Sequence, residues 1–244
     1  MRADDHRGIA ETAGEKAYRR IRSDIIGGRL EPSQRLKLDG LKETYGVSVS
    51  TLRELLNRLT SEGLIVAEGA RGFEVAPISI QNFKETANLR LLLESHALEE
   101  SFAAGDMEWE GRVVAAHHKL SLVEARMLDG NRDAPDAWKR YDFEFHHALL
   151  SACGSKVLLE THSAVFDKYL RYLIIAVVFR GPITAREHRS LLECALKRDV
   201  RTAKEVLVRH IQECVAFTLA KGALDRRTSG RAQARGKGLS IAAG

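Results

Sequence analysis

Apolar residues in the first third of the chain change their period. Leu38, Leu41 and Tyr45 recur at helical spacing until Gly46, and Leu52, Leu55, Leu56 and Leu59 form a second stripe that Gly63 ends. Apolar and polar residues then alternate in LIVAE and FEVA, on either side of Gly69-Ala70-Arg71-Gly72. The first pattern predicts two short helices joined by a tight turn, and the second a hairpin of two strands with a flexible tip. Ser48 stands where a hydroxyl can accept from the free N–H groups opening the second helix.

Beyond Pro77 the strand signal disappears. Helical periods follow one another over 79–104, 108–129, 134–152, 155–180, 184–198 and 200–221, with breaks at Gly105, Gly130 to Pro135, Gly154, Gly181-Pro182 and Asp199. In the first of these, Leu89, Leu92, Leu93, His96, Ala97 and Glu100 predict an apolar face closing on a polar end. Six amphipathic helices can bury one core as an antiparallel bundle. The chain is thus predicted to be mostly α: an N-terminal winged helix-turn-helix with a small β-hairpin wing, then an all-α bundle. The expected organisation is a disordered N-terminus over 1–14, the winged unit over 15–78, the bundle over 79–221 and a disordered basic tail over 222–244.

Helix, turn, helix and basic hairpin in that order form a DNA-reading module, so the expected partner is double-stranded operator DNA. The second helix begins with Ser48, Ser50, Thr51 and Arg53, short hydroxyls and one guanidinium. The N-terminal end of a recognition helix enters the major groove, where hydroxyls reach phosphates and an arginine can fork onto guanine. Overall charge does not carry this reading. The net charge is +5, but residues 1–79 hold 13 Lys/Arg against 12 Asp/Glu, while the tail from 222 holds 5 against 1. Three cysteines, Cys153, Cys194 and Cys214, scattered along predicted helices, argue against a disulfide framework and suit a reducing cytoplasm. The longest apolar run, Tyr172 to Phe179, is far too short to span a bilayer, so no membrane partner is expected.

Histidines mark the bundle. Asp142 and His146 lie four apart on one helix face, and His188 precedes His210 by 22 residues, a spacing that a helical hairpin can bring side by side. One carboxylate with three imidazoles suits a divalent transition ion, zinc foremost, with nickel, manganese or iron as alternatives. Such a site can also activate water, which leaves a metal-dependent hydrolase or lyase as a rival reading. No general base stands at fixed spacing beside the four residues, and an enzyme is not expected. His147 points about 100° away from His146 on the same helix. His96, His117, His118 and His162 carry no spacing argument and are read as core or surface.

VSVSTLRELL from Val47 to Leu56, with Arg58-Leu59 and Glu62-Gly63-Leu64, resembles the winged helix of the GntR family of bacterial repressors. The resemblance implies DNA contacts by Arg35, Ser48, Ser50, Thr51 and Arg53, with Gly69, Arg71 and Gly72 in the wing. The family's usual arginine after the first serine is Val49 here, which removes one polar contact. Residues 80–221 resemble the metal-containing FCD effector domain of the FadR-type branch, whose Asp-x-x-x-His motif and two later histidines match Asp142, His146, His188 and His210. The same resemblance implies that Arg90 binds a small carboxylic acid that also approaches the metal; an ordinary Arg90–Glu94 surface pair is the equal alternative. GDMEWE, CGSKVLLE and VFDKYLRY resemble repressors of glutarate catabolism within that branch, which implies a dicarboxylate. Taken together, the resemblance implies a homodimeric, ligand-responsive transcriptional repressor. A DNA-binding dimer with a purely structural metal is the alternative.

Overall fold

A computed structural model describes residues 11–130, 135–176, 179–222 and 224. It divides between Pro77 and Ile78 into two compact units. The N-terminus over 1–10 and nearly all of the basic tail lie outside the described residues; of the tail, Leu224 is described and buried.

The first unit opens with α1 (Ala13–Ile26), capped by Thr12, whose hydroxyl accepts from Glu15 N–H. Next come β1 (Arg35–Leu36), α2 (Leu38–Tyr45), α3 (Val49–Ser61), β2 (Ile65–Ala67), a short 3₁₀ turn at Gly69–Arg71 and β3 (Phe73–Val75). Gly46 ends α2 in the left-handed region at φ 68°, where a Cβ would be strained, and so sets the turn into α3. The predicted stripe is buried as expected: Leu52, Leu56 and Leu59 are fully enclosed with Ile21 and Ile25 of α1. The expected two-stranded hairpin has a third member. β3 lies between β1 and β2 in an antiparallel sheet of order β1-β3-β2, with Arg35 opposite Glu74 and Val66 opposite the same residue from the other side. A two-residue strand is too short to show a period, which is why alternation did not reveal β1. Polar anchors tie α1 to its neighbours: Tyr45 donates to Asp24 at 2.7 Å, and Tyr18 donates to Glu62.

The second unit contains α4 (Ile80–Ala104), α5 (Met107–Leu128), α6 (Pro135–Leu150), α7 (Lys156–Ala176), α8 (Pro182–Lys197) and α9 (Val200–Ala220). Ser79, Asp106, Ser155 and Asp199 accept from the third residue onward and cap α4, α5, α7 and α9. α4 packs on α7 and α9, while α5 packs on α6 and α8. Between α4 and α5, a Cβ on Gly105 would meet the Trp109 ring at 2.5 Å, so only glycine permits this corner.

Two expectations are corrected. α7 does not run to 180: Phe179 and Arg180 lie outside any helix, the Phe179 ring packed on Trp138 and Arg180 bonded to Glu187 and the His210 carbonyl. The buried face of α4 is also rotated from the predicted stripe. Leu89 and Leu92 are 44% and 67% exposed, and His96 and Glu100 are exposed too, while Phe83, Ala87, Arg90, Glu94, Ala97 and Leu98 face inward. Arg90 and Glu94 can replace leucines inside because each finds charged and hydrogen-bonding partners there. No helix among the described residues is long and apolar enough to cross a membrane.

Candidate nucleic-acid interface and metal centre

In the first unit, Ser48 sits before α3 in extended conformation and its hydroxyl accepts from Thr51 N–H at 3.2 Å. The same oxygen lies 2.8 Å from Ser50 Oγ and 2.9 Å from Thr51 Oγ1, so the three hydroxyls form one cluster at the helix start. Ser48, Ser50 and Arg53 are exposed and Thr51 is half-buried. Arg35 is exposed on β1, and Arg71 is exposed at the tip between β2 and β3, flanked by Gly69 at φ 56° and Gly72 at φ 88°. Arg58, by contrast, lies 3.7 Å from the Tyr18 ring centre and pairs with Glu15 at 2.9 Å, a packing role within the unit. Val49 opens α3 half-buried and offers no polar group.

In the second unit, Asp142 and His146 of α6, His188 of α8 and His210 of α9 meet: one donor atom from each lies within 4.8 Å of the others, and all four residues are buried. Ligands held at about 2.0–2.2 Å from one ion stand at most about twice that distance apart, so a small inward movement would complete coordination. Asp142 Oδ1, His146 Nε2 and His188 Nε2 have no well-aligned hydrogen bond despite full burial, although the Asp142 and His188 atoms approach to 3.2 Å. Orphaned buried acceptors converging on one point are what a cation would satisfy. The donor set fits a divalent transition ion.

The opposite side of each imidazole is fixed by a buried carboxylate. His146 Nδ1 lies 2.9 Å from Glu94 of α4, His188 Nδ1 2.7 Å from Glu124 of α5, and His210 Nδ1 2.9 Å from Glu187 of α8. A carboxylate facing Nδ1 favours the proton there, and in that form Nε2 is bare for a metal and the ring is a stronger donor. The charges follow this geometry. Burial depresses His210 to about 3, with His188, His146 and Arg90 adding to the effect against Glu187. Burial also opposes a proton on His188, yet contact with Asp142 and Glu124 raises it to about 9. Asp142 would be raised by burial but is held at about 2 by His188, His146 and Arg90.

Arg90 is adjacent to the cluster but not free. Its Nε donates to Glu94 at 2.6 Å, its Nη2 lies 3.1 Å from His146 Nδ1, and its guanidinium sits over the Phe166 and Tyr169 rings. The Arg90–Glu94 pair therefore exists, but 1% exposed on each side rather than at the surface. A cavity of about 10 Å³, room for one water-sized group, lies among Arg90, Trp138, Asp142, Tyr169, Arg180 and His210.

The structure brings together all four sequence-expected metal residues and places Arg90 beside them. It keeps His147 out, with its ring against Phe143, and leaves His96 and His118 exposed. Sequence reading missed Glu124, Glu187 and Arg180, gave Glu94 only as a surface partner of Arg90, and read His162 as core or surface; His162 is fully buried with Nε2 2.9 Å from Glu94. Glu187 precedes His188 and Glu94 follows Arg90 by one helical turn, which is a usable signal. Glu124 offered none.

Comparison with known proteins agrees with both units. Residues 13–75 match the family model described as bacterial regulatory proteins, gntR family, and residues 85–213 match the FCD domain. An uncharacterized HTH-type transcriptional regulator of Paraburkholderia xenovorans, BphR, is 34% identical over 212 residues, 86% of either chain. The HTH-type transcriptional repressor GlaR of Escherichia coli is 31% identical over 202 residues, 80% of this chain and 90% of its own. Among solved structures, Escherichia coli McbR/YncC superposes with a TM-score of 0.73 at 17% identity, covering 86% of this chain and 99% of that one. At that identity the likeness concerns the fold alone.

Proposed function

We propose, on the premise that this chain belongs to the gntR family of bacterial regulatory proteins and carries an FCD domain, that it is a homodimeric repressor. Its helical unit holds a divalent metal and answers to a small carboxylic acid. The observation that carries this reading is the three-histidine arrangement, each Nδ1 backed by a buried glutamate and each Nε2 side turned to Asp142 and its neighbours. Its matches are transcriptional regulators, not catalysts. The metal would be held by Asp142, His146, His188 and His210, and would supply a Lewis-acidic anchor for one end of a carboxylate. Arg90 can take the other end as a planar fork.

Operator contacts are assigned to Arg35, Ser48, Ser50, Thr51 and Arg53, with Gly69, Arg71 and Gly72 shaping the wing. One such unit covers a half-site, and two copies read a pseudo-palindrome. Leu89 and Leu92, exposed on α4, supply apolar surface suited to a second copy. A cavity of about 10 Å³ cannot receive a dicarboxylate unless its walls move. Ligand entry must therefore rearrange the bundle, and that rearrangement is the step that would respace two reader helices. The same small cavity also favours a second reading, in which the metal is structural and nothing is sensed. Zinc is the expected ion and a short dicarboxylate the expected ligand, in line with the resemblance to glutarate-catabolism repressors.

Metal analysis of purified protein, with a thermal-shift screen of mono- and dicarboxylates, tests the reading. An acid that stabilises wild type but not Arg90→Ala, with metal content unchanged, supports sensing. Stabilisation by metal alone, with no acid shifting the melt or the operator affinity, leaves the structural-metal dimer.

A further inference from the structure

Nδ1 of His146 faces two groups with incompatible demands. Glu94 Oε2, 2.9 Å away, can only accept a proton; Arg90 Nη2, 3.1 Å away, can only donate one. A neutral imidazole nitrogen carries either a proton or a lone pair, so Nδ1 can serve one of them at a time. If Nδ1–H donates to Glu94, Nε2 keeps its lone pair and is able to bind a cation. If Nδ1 accepts from Arg90, the ring's single proton sits on Nε2, the atom otherwise aimed without a partner at the metal cluster, and His146 cannot ligate. The ring is neutral in both forms and only the position of one proton differs.

We propose that Arg90 and Glu94 compete for Nδ1 of His146 and thereby set whether His146 can hold a metal. This rests on the reading of Asp142, His146, His188 and His210 as the metal site. The arrangement gives the two sensing events a common link. A cation on Nε2 requires the form bonded to Glu94 and so releases the Arg90 Nη2 group from His146. An anion that draws that Nη2 group away leaves the same form behind. Each event selects the tautomer that the other needs, so metal and anion would each tighten the binding of the other through His146, in addition to any direct contact between them. Glu94 is the positioning residue on which this depends. It is 1% exposed and is held from two further directions, by Arg90 Nε at 2.6 Å and His162 Nε2 at 2.9 Å, so it cannot turn away to avoid the contest. Among the described residues His188 and His210 lack a rival of this kind: each Nδ1 faces a carboxylate, and no described arginine shares it.

The test is nitrogen-15 NMR of the histidine rings in metal-free protein, which reports the tautomer, paired with zinc affinity measured against a chromophoric chelator. Wild type should show a measurable Nε2–H fraction at His146 and none at His210. Arg90→Met should shift His146 wholly to Nδ1–H with zinc affinity kept or raised. Glu94→Gln should shift it toward Nε2–H and weaken zinc by about tenfold or more. Charge alone would change affinity in these directions, but it would not move the proton between the nitrogens. A His146 fixed as Nδ1–H in wild type and unchanged in Arg90→Met overturns the proposal, even if Glu94→Gln fails to fold. Tautomers that respond as described in a protein that binds no zinc would instead remove the metal-site reading and leave the competition standing.

Discussion

Replacing Glu124 by glutamine isolates the contribution of one outer carboxylate. Glu124 is 2% exposed, its Oε1 lies 2.7 Å from His188 Nδ1, and the same oxygen is 3.5 Å from Trp138 Nε1. Glutamine keeps the shape and an acceptor oxygen while removing the charge that makes His188 a strong donor. Loss of such a partner lowers metal affinity about 10- to 100-fold, or about 1.4–2.7 kcal/mol. Because metal stabilises the native state as the logarithm of its concentration over Kd, the same amount is lost from stability at fixed excess zinc. For a chain of this size that is a fall in melting temperature of about 3–11 °C. The assay is a pair of melts, one in excess zinc and one in excess chelator, together with a chelator-competition titration. The variant should melt well below wild type in zinc and close to it in chelator. An equal gap in both conditions would mean that Glu124 matters for packing, and the argument from outer-partner geometry would be wrong.

Arg53→Ala should weaken operator binding by about 1–3 kcal/mol with the fold intact, measured at fixed salt; unchanged affinity would remove Arg53 from the interface. Ser48→Ala removes the cap of α3 and should destabilise the first unit by about 1 kcal/mol, read from its denaturant midpoint. Leu92→Glu on α4 should shift the protein toward monomer in light scattering and weaken operator binding with it; an unaltered mass would clear α4 of a role in self-association. Burial and the Asp24 hydrogen bond raise the Tyr45 phenol above its ordinary pKa. The unfolded chain's tyrosines ionise near pH 10. That share of stability is therefore full below about pH 10 and declines as pH rises beyond it, and Tyr45→Phe should flatten the decline in melts between pH 9 and 11.

Which parts of the molecule were legible beforehand follows from how far each depends on neighbours in sequence. α3 was plain because its cap, stripe and stop lie within sixteen residues, Ser48 to Gly63, and the structure buries the leucines that the spacing selects. The candidate metal cluster was legible because Asp142 and His146 share one helix face and His188 and His210 face each other across one hairpin. α4 misled for the converse reason. Periodicity scores Leu89 and Leu92 as interior and Arg90 and Glu94 as surface, since it cannot see the imidazoles of α6 and α7 that make burial of the charges possible. Glu124 was invisible by the same logic: its partner is 64 residues away, and a glutamate late in a helix looks like any solvated one.

Among the described residues, four buried carboxylates, Glu94, Glu124, Asp142 and Glu187, line the cluster; the enclosed guanidinium groups of Arg90 and Arg180 face them, and Arg209, 60% exposed, reaches Glu187 at 4.0 Å from the solvent side. Packing gives no reason for this arrangement, because buried ion pairs replaced by apolar residues of like volume are often as stable or more so. Counting only the enclosed groups, four carboxylates against two guanidinium groups leave two negative charges over. Against burial, contact with Asp142 and Glu124 raises His188 to about 9, whereas burial, with His188, His146 and Arg90 adding to it, pushes His210 down to about 3. A divalent ion would offset that charge at the point where donor atoms of Asp142, His146, His188 and His210 converge. On the proposed metal reading, the outer glutamates would do more than orient rings: their negative charge would favour a divalent cation over water at that point.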